Sequence, residues 1–234
     1  MKLIAHRGAS LVRQENSVES LTYASELGAY AVECDLRQTK DGVYIIYHDD
    51  TLERLTGASK KVAEITYSEM KVRLKEKGYR LLSFAELEKM YHGSAPILLH
   101  IKFNVICDNL ARRLAQSPLS LICGVQSVQA AEKMSEFLPP DKILAFLPEE
   151  SQLDAFVSKG AGIIRLWEHW LNRITPQAVK RRHAVTVWIM ACDEKGNMNG
   201  SKTSLERMAS IGADGMLLND IELGIRWINQ AKNR

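Results

Sequence analysis

Two carboxylates lie two residues apart in the first fifty residues of the chain. Glu33 and Asp35 interrupt an apolar run at residues 31–36 that is typical of a buried β-strand. Because side chains alternate along a strand, both carboxylates project from the same face. Ionised carboxylates in a buried strand are costly unless they are paired or bind a metal. We therefore expect a divalent-cation site here, and the alternative is that both side chains lie on a solvated face.

A β-hairpin is predicted immediately after this strand. An Asp-Gly pair at residues 41–42 is flanked by apolar alternation, and a short second strand is expected at residues 44–47. With a two-residue turn, Asp35 faces His48 across the hairpin. An imidazole beside the carboxylates would add an acid/base group to the cation site.

A second candidate group, His6-Arg7-Gly8, stands at the end of the first apolar run, residues 3–6. Arginine can bind a phosphate through two parallel hydrogen bonds, and glycine allows the backbone to approach a ligand closely. His6 alone at a strand end could be structural. Its occurrence together with His48 and a carboxylate pair favours an acid/base role.

Lys102 ends a later apolar run at residues 97–102. Because it alternates with Ile101, it is expected to point into the protein on the same face as His100. A buried ammonium without a partner is costly, so we expect Lys102 to contact a phosphate group.

The elements that carry these residues alternate between strand and helix. Helical periodicity separates most of the apolar runs, as at residues 17–27. The alternation predicts a parallel sheet closed into a TIM (β/α)8 barrel, an α/β fold that typically takes about 250 residues. An open doubly wound sheet is the alternative, but no GxGxxG fingerprint follows any run. The predicted barrel strands are residues 3–6, 31–36, 97–102, 121–126, 143–147, 162–166, 185–190 and 215–218.

Residues from about 50 to 96 break this alternation. They are predicted to form a small insertion after the second strand, and no linker separates them from the rest. We therefore expect a single domain over residues 1–234.

Composition restricts the classes of function. The chain has 234 residues, of which 46% are apolar and 25% charged, as in soluble globular proteins. Its formal net charge of +3 is too small for a typical nucleic-acid-binding protein and is compatible with a small anionic substrate. Neither a signal peptide nor an apolar run of about 18 residues is visible, so we expect a cytoplasmic protein without stable membrane insertion.

The motifs, in their order and at their spacings, resemble those of the glycerophosphodiester phosphodiesterase family, whose usual motifs are HRG, ENT, ExD, KDG and HD. Later segments that are also similar are LSFAEL at 82–87, VW at 187–188 and GADG at 212–215. The resemblance covers nearly the whole chain and is weakest between about 105 and 180. The matching segments of the first fifty residues are HRG at 6–8, ENS at 15–17, ECD at 33–35, KDG at 40–42 and HD at 48–49.

The resemblance implies a TIM barrel with a small insertion. It also implies metal-dependent hydrolysis of glycerophosphodiesters to glycerol 3-phosphate and an alcohol. By position, His6 and His48 match the catalytic acid/base pair of the family, and Arg7 matches its phosphate ligand. Glu33 and Asp35 match two of its metal ligands.

Several positions depart from the family pattern or fit it in two ways. His100 stands where the family has a third carboxylate ligand. A Glu, Asp and His set suits Mn or Zn better than the Mg or Ca that the resemblance implies; if His100 binds no metal, the site has lost a ligand. Trp188 matches a substrate-binding pocket wall, although its apolar strand also suits the core. Ala191 and Asn219 replace residues near the family's substrate site.

These observations predict hydrolysis of a small anionic diester with a divalent cation. Two alternatives remain open at this stage. One is a protein that binds phosphate esters on the same scaffold without cleaving them. The other is a related phospholipase-type enzyme whose reaction stops at a cyclic phosphate.

Overall fold

The computed structural model describes residues 1–232. Eight parallel strands form its central sheet, and two short antiparallel strands extend that sheet from β2. In chain order the strands are β1 (Lys2–Ala5), β2 (Ala31–Gln38), β3 (Tyr44–Ile46), β4 (Leu82–Ser83), β5 (Ile97–Ile101), β6 (Leu121–Val125), β7 (Ile143–Phe146), β8 (Ile163–Trp167), β9 (Thr186–Met190) and β10 (Gly215–Leu218).

The parallel strands close into a barrel because β1 pairs with β10 on one side and with β2 on the other. Around the barrel the order is β1, β2, β5, β6, β7, β8, β9 and β10. This closure confirms the predicted TIM barrel and excludes the open sheet, which would leave β1 or another strand at an edge. Each predicted barrel strand is present, with ends within about two residues of the expected ones.

Helices follow most of the barrel strands on the outside. Hydroxyl side chains start many of these helices, because each accepts a hydrogen bond from a first-turn backbone amide. These capping residues are Ser17, Thr66, Ser83, Ser127, Thr175 and Ser201. The helices are α1 (Val18–Glu26), α2 (Glu53–Thr56), α3 (Tyr67–Lys75), α4 (Phe84–Met90), α5 (Asp108–Ala115), α6 (Val128–Ser135), α7 (Leu153–Ser158), α8 (Pro176–Arg182), α9 (Lys202–Ser210) and α10 (Ile221–Lys232). In residues 1–232, no helix combines the length and apolar character that a membrane crossing requires.

The segment between β3 and β5 is the predicted insertion. It carries α2, α3, β4 and α4, and its part before β4 packs around an apolar cluster distinct from that of the barrel, whereas Phe84 and Leu87 of α4 join the barrel's own cluster. We propose that it belongs to one domain with the barrel, because β3 hydrogen-bonds directly to the barrel strand β2. The buried members of the cluster are Ile45, Tyr47, Leu52, Val62, Ile65, Met70, Leu74, Tyr79 and Leu81.

The turn between β2 and β3 differs from the prediction. The amide of Thr39 donates to the carbonyl of Val43 at 3.0 Å, so three residues rather than two close the turn. Gly42 takes the left-handed conformation, with φ of +79°, that such three-residue loops require. The pairing of Leu36 with Ile46 is therefore shifted by one residue from the expected register.

This shift changes the residue opposite Asp35. The amide of Tyr47 donates to the carbonyl of Asp35 at 2.9 Å, so the predicted pairing of Asp35 with His48 is wrong. His48 lies just beyond the end of β3, where Arg37 Nε donates to its carbonyl oxygen at 2.8 Å. The imidazole reaches the site from a loop and not from the hairpin ladder.

An apolar layer fills the interior of the barrel. Trp188 is one of its members and is 1% exposed. Its ring lies over Gly215, where an added Cβ would come within 2.8 Å of it, and it meets the ring of Tyr30 edge-on at 6.2 Å. These contacts place Trp188 in the core, one of the two positions that its sequence context allows, and its role as a pocket wall stays a prediction. The buried members of the layer are Ile4, Ala31, Leu98, Ile122, Leu144, Phe146, Ile163, Trp188, Met190 and Leu217.

Candidate active site

Three potential metal ligands meet on the wall of the barrel formed by β2 and β5. Glu33 and Asp35 are fully buried, and the sheet register places His100 beside Asp35. His100 Nδ1 lies 3.4 Å from Asp35 Oδ1 and 3.8 Å from Glu33 Oε1. One ligand atom from each residue can be chosen so that all three lie within 4.8 Å of one another. His100 therefore occupies the barrel-facing position that the sequence predicts for it.

The chemistry of this cluster fits a divalent cation. Glu33 Oε1 and His100 Nε2 are buried atoms without a hydrogen-bond partner, and Asp35 Oδ1 is buried with only the Lys102 ammonium and His100 Nδ1 close to it. Buried polar atoms are normally satisfied, and those that are not commonly face a ligand, water or ion. Two carboxylates and an imidazole are also donors that Mn, Zn or Fe accepts.

Asp35 is surrounded by groups that stabilise its charge. Asn16 Nδ2 donates to Asp35 Oδ2 at 3.0 Å, and Lys102 Nζ lies 3.0 Å from Asp35 Oδ1. Arg7 Nε lies 3.6 Å from Asp35 Oδ2. Burial is the largest single influence and disfavours the carboxylate, but Lys102 and His100 outweigh it and hold the pKa of Asp35 well below its usual range. Asp35 is thus the ionised member of the pair.

Glu33 has the opposite balance. Burial raises its pKa well above the usual value, and the negative charge of Asp35 raises it further. The backbone amide of Arg7 donates to Glu33 Oε2 at 2.8 Å, which fixes one carboxyl oxygen and leaves Oε1 toward His100. A bound cation would supply the positive charge that Glu33 needs to ionise.

His6 is held by an amide on β10's carboxyl side. Its Nδ1–H donates to Asn219 Oδ1 at 2.6 Å, and its Nε2 lies 4.0 Å from Glu33 Oε2. Burial, followed by the charge of Arg7, lowers the pKa of His6 to about 3. His6 is therefore neutral, with an unprotonated Nε2 that faces the carboxylates. Asn219, a departure from the family pattern, is the residue that orients it.

His48 is held differently, by a carboxylate. Its Nδ1–H donates to Asp49 Oδ1 at 2.7 Å, and Arg54 Nε donates to Asp49 Oδ2 at 2.6 Å. Arg54 also pairs with Glu15. Burial is the main cause that lowers the pKa of His48, whereas Asp35 and the Asp49 hydrogen bond raise it.

Two residues beside the site have a left-handed backbone. Arg7 and Asn16 have φ of 58° and 57°, although neither is a glycine. Their backbones are joined, because the Asn16 amide donates to the Arg7 carbonyl at 3.1 Å, and Arg7 NH1 donates to Glu15 Oε2 at 3.0 Å. Such strained positions persist where the surroundings over-determine them, commonly at functional sites. The roles of Glu15 and Asn16 were missed in the sequence, although both belong to a motif of the resemblance.

Two aromatic side chains and an arginine extend from His100 on β5 across the interior of the barrel to β8. The His100 ring stacks on Phe146 with centroids 3.7 Å apart, and the Arg165 guanidinium lies 5.2 Å from the Phe146 centroid and 4.0 Å from that of Trp167. Gly124 makes room for the stack, since a Cβ there would lie 2.3 Å from Phe146 Cε2. Sequence reasoning also missed Arg165; the signal was a single charge inside an apolar strand.

Comparisons with known proteins agree with this geometry. The sequence profile of the glycerophosphoryl diester phosphodiesterase family matches residues 6–144. A curated relative from Caldanaerobacter subterraneus, named glycerophosphodiester phosphodiesterase, is 24% identical and covers 97% of this chain and 98% of its own length.

Solved structures show the same fold. A glycerophosphodiester phosphodiesterase from Parabacteroides distasonis superposes with a TM-score of 0.77 and 22% identity, over 100% of this chain and 98% of that one. An Oleispira antarctica phosphodiesterase, solved with the product sn-glycerol-3-phosphate, gives a TM-score of 0.72 and 18% identity over 98% of this chain and 97% of that one. With its barrel, its motif residues and the profile match over more than half its length, the chain belongs to the glycerophosphoryl diester phosphodiesterase family, a family of hydrolases.

Proposed function

We propose that this protein hydrolyses glycerophosphodiesters to glycerol 3-phosphate and an alcohol, with a divalent cation and a pair of histidines. One observation carries the proposal. A buried cluster of possible cation ligands, Glu33, Asp35 and His100, lies beside Nε2 of His6, and Glu33 Oε1 within it has no hydrogen-bond partner. Cleavage of a phosphodiester requires that the phosphate charge is neutralised and that protons are transferred. A cation site next to a neutral imidazole can supply both.

The cation would be held by Glu33, Asp35 and His100. When bound, it would neutralise the nonbridging oxygens of the phosphate as a Lewis acid. The family resemblance favours Mg or Ca, whereas the imidazole of His100 favours Mn or Zn.

Arg7 and Lys102 are the proposed phosphate ligands. Each has a side chain that is 12% exposed, and each has a nitrogen near Asp35, so both are fixed on the same wall as the cation ligands. Their positive charges would bind the diester anion and stabilise the charge that develops on phosphorus oxygens during cleavage.

The two histidines have environments that suit different roles. His6 donates its Nδ1–H to a neutral amide and is buried, so it stays unprotonated and can accept a proton at Nε2. Burial lowers the pKa of His48, but its Nδ1–H donates to the Asp49 carboxylate, which opposes this shift and stabilises an imidazolium that can deliver a proton to the leaving alcohol. We therefore assign His6 as the general base and His48 as the general acid.

The proposal is tested with purified protein stripped of metal by a chelator. Mg, Ca, Mn and Zn are added back separately, with glycerophosphocholine as the substrate, and phosphorus NMR follows the products. Metal-dependent appearance of glycerol 3-phosphate supports the proposal. Accumulation of a cyclic phosphate would replace it with the phospholipase-type reaction, and binding of the diester without any product would replace it with a binding protein.

A further inference from the structure

Arg165 is a buried positive charge without an ionic partner. The residue is 6% exposed, and it is the one buried arginine or lysine among residues 1–231, whose burial the structure describes. Within the same residues, no carboxylate oxygen lies within 4.0 Å of its guanidinium. Its NH1 is buried and donates no hydrogen bond. A buried guanidinium in this state is unfavourable, since the desolvation of the charge is not offset by a partner.

The guanidinium is directed into the barrel. Arg165 alternates with the outward-facing neighbours in β8 and shares its face with Ile163, a member of the apolar interior layer. It lies between Phe146 and Trp167, whose rings are 5.2 Å and 4.0 Å from its central carbon. Since Phe146 also stacks on His100, its ring connects the guanidinium with the cation cluster.

Arg165 differs from Arg7 and Lys102, the two positively charged side chains beside Asp35. Arg7 pairs with Glu15 and lies near Asp35, and Lys102 lies on Asp35. Their charges are largely neutralised before any ligand arrives. Arg165 has only aromatic faces beside it, which attract a cation weakly and leave its hydrogen-bond donors free.

Burial lowers the pKa of Arg165 to about 9, and Glu33 opposes this shift when it is ionised. The guanidinium therefore remains charged at neutral pH. No side-chain or backbone oxygen of the described residues accepts a hydrogen bond from its Nη1. An anionic oxygen atom of a ligand would compensate this charge.

We propose that Arg165 is a substrate-binding residue. Its guanidinium donates a hydrogen bond to an anionic oxygen of the substrate, from the wall opposite Glu33 and Asp35. The inference rests on the proposed function for the identity of the ligand. Two sources provide this chemistry. The oxygen belongs either to the phosphodiester itself or to a second anionic group, a carboxylate or phosphate, on the alcohol part of the substrate.

The first test measures binding without turnover. Calorimetry with sn-glycerol 3-phosphate is performed on the wild-type protein, on Arg165→Met and on Arg165→Lys. Loss of a charge-assisted hydrogen bond should weaken binding about tenfold or more in Arg165→Met, and Arg165→Lys should retain part of the affinity. Arg182→Met is the control, because Arg182 has a 59% exposed side chain on the outer helix α8.

Thermal unfolding of the ligand-free proteins separates a binding role from a structural one. Removing an unpaired buried charge should leave the melting temperature of Arg165→Met equal to or higher than that of the wild type. A lowered melting temperature together with unchanged affinity in Arg165→Lys and in the folded Arg165→Met protein would overturn the proposal.

The two sources are distinguished by kinetics with two diesters. Glycerophosphocholine has no second anionic group, whereas glycerophosphoserine carries a carboxylate. An equal fall in kcat/KM for both in Arg165→Met assigns the contact to the phosphodiester. A fall confined to glycerophosphoserine assigns it to the alcohol's carboxylate, and unchanged values for both together with unchanged glycerol 3-phosphate affinity would overturn it.

This design keeps the two proposals separable. If the wild-type protein hydrolyses neither diester, the proposed function fails. The glycerol 3-phosphate titration still decides whether Arg165 binds the phosphate group, because it needs no turnover.

Discussion

The wall formed by β1, β2 and β5 and the wall formed by β7 and β8 hold buried charge in different ways. On the first wall, Asp35 has Asn16, Lys102 and Arg7 around it, so each charge is compensated by a neighbour. On the second wall, Arg165 lies between two aromatic rings without an ionic partner. The first wall is therefore ordered before a ligand binds, and the second has a charge that no neighbouring side chain compensates.

The difference indicates that the first wall serves catalysis and the second serves substrate recognition. Preorganised charges are suited to chemistry, since they need not rearrange when charge develops in the transition state. An uncompensated charge is suited to recognition, because an anion gains most from meeting a cation that nothing else neutralises. The predictions below test this division, beginning with the first wall.

The largest loss is expected for Asp35→Asn. This change removes one proposed cation ligand. It also removes the negative charge that pairs with Lys102 and Arg7. Because a metal ion contributes several kcal/mol of charge stabilisation, activity should fall about 1,000-fold or more. Calorimetry with divalent metals and the phosphorus NMR assay measure the two losses.

The matched control is Asp50→Asn, which removes an exposed carboxylate that pairs with Arg37 on the same segment. Its activity and metal affinity should match the wild type. Wild-type metal affinity in a folded Asp35→Asn protein would contradict the cation site.

The next largest losses are expected for His6→Ala and His48→Ala. General acid–base groups contribute 100-fold or more, so each variant should lose about this factor in kcat. The same assay measures the rates, with His92→Ala as the control because His92 is exposed and lies in the loop between α4 and β5. A variant that keeps nearly the wild-type rate would remove that histidine from the mechanism.

A smaller loss is expected for Asp49→Asn. The Asp49 carboxylate raises the pKa of His48 through its hydrogen bond, so its replacement by an amide should lower that pKa further. Less His48 is then protonated at a given pH, and the decline of kcat with rising pH should begin at a lower pH. At neutral pH the loss should be on the order of tenfold, because the imidazole itself remains.

A pH–rate profile of kcat measures this shift. Asp141→Asn, an exposed aspartate outside the site, serves as the control and should leave the profile unchanged. An unmoved alkaline limb in Asp49→Asn would show that the protonation of His48 does not limit the reaction.

The sequence was most informative where one strand carries its own pattern. The barrel strands were predicted from apolar runs, because β-branched and apolar residues in a short run fit a sheet buried on both faces. Glu33 and Asp35 were identified in the same way, since two carboxylates in such a run are unfavourable without a partner. The motif that contains His6 and Arg7 then indicated the chemistry.

The sequence was less informative about register. An Asp-Gly pair occurs both in two-residue and in three-residue hairpin loops, and one extra residue reverses the faces of the second strand. The structure has Gly42 in the left-handed position of the longer loop, so Tyr47 and not His48 is opposite Asp35. The short-range pattern could not distinguish these two turns.

Sequence patterns could not predict contacts between strands that are distant from one another in the chain. The stack of His100, Phe146 and Arg165 joins residues of β5, β7 and β8, which meet only after the barrel has closed. Alternation placed each side chain inside, but it did not show which of them would touch. Asn219 illustrates the same point, because its contact with His6 joins the two ends of the chain.

The smallest effect on activity is expected for Gly124→Ala, which tests how the second wall supports the first. An added Cβ would lie 2.3 Å from Phe146 Cε2 and would push this ring from its stack on His100. Overpacking of this kind should lower the free energy of unfolding by about 1–3 kcal/mol and weaken metal binding only severalfold, since Glu33 and Asp35 are untouched. Denaturant unfolding and metal calorimetry measure both quantities.

The double variant Gly124→Ala with Phe146→Leu removes the clashing ring edge and should regain part of the stability. If instead the double variant is no more stable than Gly124→Ala alone, the contact between Gly124 and Phe146 does not set the position of the stack.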